Sequence, residues 1–177
     1  MKINNMTLRG ISISNVVIEE MRNNAIPGSD VATRVGGNFV MQIIGESIPL
    51  LVSRVIIPGE TMTPIEKFEG WYKNSLEKAN RLSERAMLSK ENPALPEQIS
   101  AWQSRIFEGK LYGGGVVGIL PDSNISVALT FSGFSEHDDE YKCTETGFRL
   151  GIISYERAIE IFKISKNPWI AKFERRH

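Results

Sequence analysis

Residues 111–150 read LYGGGVVGILPDSNISVALTFSGFSEHDDEYKCTETGFRL, and this stretch decides the fold. Gly113-Gly114-Gly115 is a break, after which Val116 to Leu120 reads as a strand. Pro121-Asp122-Ser123-Asn124 is a reverse turn, and Ile125 to Phe131 returns as a second strand. Side chains alternate across a strand, so Ile125, Val127, Leu129 and Phe131 share one face. Ser126, Ala128, Thr130 and Ser132 share the other, which is small and mildly polar and suits a pocket wall or a close-packed neighbour. Ser135 is placed to cap a helix, with Asp138 as its acidic partner. Cys143 and Gly147 lie one turn apart, small enough to let that helix sit close against a sheet, and Gly151 ends it.

Working outward, Phe39 to Ile44 and Ile48 to Ile57 are rich in strand-forming residues on either side of Gly45-Glu46-Ser47, which predicts an earlier hairpin. Residues 14–25 carry a helical stripe through Val17, Ile18, Met21 and Ala25, with Ser14 as cap. Thr63, Pro64 and Glu66 form a helix start with a capping box. The apolar stripe Ile65, Phe68, Tyr72, Leu76, Ala79, Leu82 and Ala86 then predicts about six turns. Ser89 to Pro96 reads as a loop and Pro96 to about Phe107 as a shorter helix. Ser154 to Ile164 is one more helix, and the tail after Pro168 is basic and expected to be less ordered, although Trp169 and Phe173 could anchor it. The order of elements predicts an α+β fold: an antiparallel sheet flanked by helices, in a profilin-like or PAS-like arrangement. One domain, 1–177, accommodates it, with a core over about 12–151 and a C-terminal helix and basic tail over 152–177.

The totals exclude several function classes. Hydrophobic residues make up 41% and charged residues 24%, the balance of a folded chain. Lys plus Arg and Asp plus Glu both number 21, so net charge gives no warrant for nucleic-acid or membrane-surface binding. Cys143 is the only cysteine, which excludes an intrachain disulfide and a multi-thiolate zinc site. Met1 to Arg9 lacks the apolar run of a signal peptide, and no apolar stretch is long enough to span a bilayer. A cytoplasmic protein is the expectation.

The glycine tract Gly113 to Gly115, the strand end Ser132-Gly133 and the acidic pair Asp139-Glu140 resemble the GlcG/HbpS-like haem-degrading proteins, a family that includes the C-terminal domain of PduO. The earlier hairpin is similar too, in Val40 to Ile44, Gly45, Leu50 to Arg54 and the Lys78-Ala79 pair. The chain departs from the family at Val116-Val117, where proline is usual, at Thr130-Phe131, where glycine is usual, and at Ile44, where an acidic residue is expected. The resemblance implies a small-molecule-binding protein, with haem or a related tetrapyrrole as ligand, and a homo-oligomer. The alternative is a non-catalytic oligomeric regulatory or assembly module of the same fold.

Seven residues stand out as candidate ligand contacts: Gly113, Gly114, Gly115, Ser132, Gly133, His137 and Arg54. His137 could ligate haem iron or a divalent metal, with Glu140 on the same helical face, or simply lie exposed in the first turn of its helix. The glycine tract lacks the lysine of a phosphate-binding loop and precedes a strand, so it forms either a bulge or a ligand contact. Arg54 could pair with Glu60 or with a ligand carboxylate. Cys143 has no base positioned to activate it, and packing is its expected role.

Overall fold

The computed structural model of the chain describes residues 36–56, 65–107 and 112–177. The early helix over 14–25, the cap at Thr63-Pro64 and the partner residue Glu60 lie outside them. Strands β1 (Gly36–Ile43), β2 (Leu51–Ile56), β3 (Gly115–Ile119) and β4 (Ser126–Ser132) form one antiparallel sheet in the order β2-β1-β4-β3. Helix α1 (Ile65–Glu91) connects the hairpins, followed by a 3-10 segment, Ala101–Phe107. Helices α2 (Glu136–Arg149), α3 (Tyr155–Ser165) and α4 (Ile170–Arg176) close the chain. The fold is therefore α+β, an antiparallel sheet with helices packed against it, as the element order predicts.

Each hairpin pairs locally, and β1 joins β4 at the centre with Phe39 opposite Phe131 and Met41 opposite Leu129. That register stacks the apolar side chains on one face, where Phe39, Met41, Leu129 and Phe131 belong to the same buried cluster as Tyr141, Phe162 and Phe173. Complete burial of each such side chain contributes roughly 1.5–3 kcal/mol. Gly147 gives α2 its close approach, since a Cβ there would lie 3.3 Å from Leu129 and 2.6 Å from Ile153. The opposite face carries Val40, Ala128 and Thr130, and α1 packs on it. Leu82 meets Ala128 and Ala101 there, and the Thr130 hydroxyl donates to the Ser75 carbonyl at 2.8 Å. A small sheet face lets a helix backbone come close enough for that bond.

Three expectations need correction. Helix α1 runs on through Glu91, so the loop begins at Asn92, and the stripe turned to the sheet includes polar Ser75 and Lys78, both fully buried, while Tyr72 is exposed. The helix expected from Pro96 reduces to the 3-10 segment. The chain before it runs along β3 instead, where the Ile99 carbonyl accepts the Val117 N–H at 2.9 Å and Gln103 Oε1 accepts the Ile99 and Ser100 N–H groups. The basic tail is ordered into α4, because Phe173 inserts into the core.

Candidate functional site

The starts of β1 and β3, the ends of β2 and β4 and the start of α2 all meet at one end of the sheet. Six of the seven sequence-predicted contacts, the glycines, Ser132 and His137, lie at the ends of β3 and β4 or in the first turn of α2, and Arg54 lies across β1. In register, Arg54 faces Asn38 and Asn38 faces Ser132, so these three form a polar row across β2, β1 and β4. The row lies on the α1 side, where the Ser75 hydroxyl donates to the Asn38 carbonyl at 2.7 Å and the Arg54 guanidinium sits 5.2 Å over the Phe68 ring. Asn38 is fully buried, and neither its Oδ1 nor its Nδ2 has a hydrogen-bond partner among the described residues.

Beside the row is a buried ion pair. Lys78 Nζ donates to the Phe131 carbonyl at 2.7 Å and to Asp139 Oδ2 at 3.2 Å. The Phe134 N–H donates to the other oxygen of Asp139 at 3.0 Å. Burial pushes the Asp139 carboxyl up to about 7, against the opposing pull of Lys78 and the Phe134 N–H. Glu140, one residue on, has no cation at its carboxylate among the described residues. It accepts from the Ser100 hydroxyl at 2.7 Å, from Asn167 Nδ2 at 3.1 Å and from the Ser165 hydroxyl. Burial raises it to about 7 as well, although all three donors favour the ionised form.

The glycines are filled from within the chain. A Cβ at Gly113 would lie 2.4 Å from the Trp102 indole nitrogen, one at Gly114 2.5 Å from Asp139 Cβ, and one at Gly115 2.7 Å from Thr130 Cγ2. Gly133 is pressed against the start of β1, 2.3 Å from the Gly36 carbonyl by the same measure. Close packing of strand ends and side chains is therefore what these positions require. Gly114 also adopts φ +87°, a left-handed conformation that favours glycine.

His137 is half-buried rather than exposed. Its ring stacks on Trp102 at 4.7 Å between centroids, and Nε2 lies 3.1 Å from the Ser165 carbonyl. No group of three or more metal-ligating side chains occurs among the described residues. Ser135 caps α2 as expected, its hydroxyl facing the Asp138 N–H and carboxylate. Cys143 is buried, and burial pushes its thiol up, which suits packing and not nucleophilic attack.

Sequence reading missed Asn38 and the pairing of Lys78 with Asp139. Lys78 had a signal: it sits at helical spacing with Ser75, Ala79 and Leu82 on the stripe turned inward. Asn38 had none, because its neighbours come from two other strands. No protein-family model, curated protein or solved structure matches the chain.

Proposed function

We propose that the chain is a cytoplasmic small-molecule-binding protein whose ligand is held along the row Arg54, Asn38 and Ser132. Asn38 carries the reading. An unpaired polar group in a buried position costs about 1–3 kcal/mol, and such exceptions concentrate where a ligand completes the bonding. The row offers a guanidinium, an amide and a hydroxyl, a combination that suits a carboxylate or another planar acceptor. The balance of acidic and basic residues supports a small ligand over a nucleic acid.

Haem or a related tetrapyrrole is the ligand that the family resemblance brings to this row, its propionates matching Arg54. His137 does not suit iron ligation, since its Nε2 is engaged with Ser165 and its ring with Trp102. Titration with haemin, followed in the Soret band, tests the reading. A saturable shift that weakens at least about tenfold in Arg54→Ala or Asn38→Leu, and persists in His137→Ala, supports it, the factor being that of one lost charge-assisted bond. No saturable shift removes haem from the account.

A non-catalytic assembly module is favoured by one separate observation. The β3 edge is covered by the backbone at Ile99 and Ile152, while Ile48 and Leu50, in the chain leading into β2, and Val52 on β2 are 78%, 39% and 42% exposed. A homo-oligomer joined along β2 would cover them. Sedimentation showing a strict monomer at high concentration would end that reading.

A further inference from the structure

We propose a second site, at the other end of the sheet from the polar row, that binds an amphipathic carboxylate with its apolar part along β3 and its charge on Lys90. The cleft there has a volume of about 700 Å3, within the range of roughly 300–1,000 Å3 usual for small-ligand sites. It opens between the loop that follows α1 and the turn that joins α2 to α3. Its wall is mainly apolar, and two large side chains on it are left in solvent: Ile119 is 54% exposed and Leu95 45%. Scattered exposed apolar residues are ordinary, but two that face one cleft form a surface for an apolar ligand.

The backbone around the cleft favours a small molecule over an added peptide strand. The outward N–H groups of Val117 and Ile119 already donate to the Ile99 and Ile152 carbonyls, both at 2.9 Å. A strand laid along β3 would find those donors used. Charge then selects the ligand class. Among the described residues, three charged ones line the cleft: Lys90, Glu97 and Arg157. Arg157 is bonded to Glu97 at 3.0 Å and to Glu160 at 3.1 Å, so its guanidinium is shared between two carboxylates and already engaged. Lys90 donates to the Ser126 hydroxyl at 3.1 Å, a neutral partner. The cation left uncompensated by a carboxylate among the described residues thus stands at the edge of an apolar cleft, where an anionic head group with an apolar tail is complementary. The site shares no residue with the row at Asn38 and does not rest on the function proposed for it.

Calorimetric titration with decanoate, decanol and decyltrimethylammonium, each below its micelle concentration, tests the proposal. Saturable decanoate binding is expected, with decanol about tenfold weaker, the worth of one charge-assisted hydrogen bond. The decyltrimethylammonium ion should bind more weakly still. Lys90→Ala should reduce decanoate to the level of decanol and leave decanol unchanged. Ile119→Asp, at an exposed position, should abolish both, and Arg54→Ala should alter neither. Absence of saturable decanoate binding, or equal affinity in the Lys90→Ala variant, overturns the proposal. Loss of binding in Arg54→Ala would move the ligand to the polar row and overturn it equally.

Discussion

Asn38 holds a side-chain amide where neither of its polar atoms is bonded to any described residue, and leucine would remove both at similar volume. Asn38→Leu should therefore raise the stability of the ligand-free protein by about 1–3 kcal/mol, read from the urea midpoint, while weakening any ligand of the row. A destabilised variant would show that the amide is bonded in solution and would sink that assignment. Glu140 poses the opposite problem, since its carboxyl is fully bonded but buried. Its pKa rises from 4.5 to about 7. Below pH 4.5 both folded and unfolded chains hold the proton, and above 7 both have lost it. Between these values only the folded chain holds it, so stability should fall as pH rises from 4.5 to 7, by on the order of 3 kcal/mol. Asp139, raised from 3.8 to about 7, adds a fall of the same sign and similar size, so Glu140→Gln should remove about half of the total. A fall identical in both proteins would show that Glu140 is not the group responsible. Neither residue could be valued from sequence. Asp139-Glu140 reads as an acidic helix start, and only the packing of the 3-10 segment, α1 and the end of α3 turns both side chains into buried groups.

At the scale of elements, the β3–β4 hairpin and α2 were the most legible part of the chain. The reasons are local: alternation fixes the two faces of β4, Ser135 fixes the start of α2, and Gly151, at φ +69°, fixes its end. The segment at 96–107 differs from its sequence pattern, because its apolar spacing fits a helix but the N–H groups of the edge strand β3 compete for its backbone. Gly114 tests the tight end of the hairpin. Alanine there meets both a left-handed φ and a Cβ contact of 2.5 Å with Asp139, so Gly114→Ala should cost roughly 1–3 kcal/mol or more. Gly70→Ala, on α1 with open space around it, should instead gain up to about 1 kcal/mol. Equal effects in chemical denaturation would mean that the β3 start is looser than its packing implies. Ser135→Ala should cost about 0.5–2 kcal/mol through the lost cap.

At the scale of the whole molecule, the C-terminal residues are the part whose role composition most disguised. Arg175 and Arg176 suggest a solvated tail, yet Phe173 is fully buried, with ring centroids 5.2 Å from Phe148 and 5.3 Å from Phe162. Two polar ties add to it: Asn167 donates to Glu140, and the Trp169 indole donates to Asp138 at 2.7 Å. The tail thereby fixes the start of α2, which packs against the ends of β3 and β4, so its loss should reach the polar end of the sheet. Trp169 and Phe173, a helical turn apart, are the anchors that the sequence offers against that run of basic residues. Phe173→Ala should cost about 3–5 kcal/mol. For a domain of this size each kcal/mol lowers the melting temperature by about 2–4 °C, so a drop of roughly 10 °C is expected. Glu174→Ala, at the exposed neighbouring position, should change it by little. If the two variants melted together, α4 would not belong to the cooperative core, and the start of α2 would be held by its other contacts, among them Ser135, the Lys78–Asp139 pair and the Ser100–Glu140 bond.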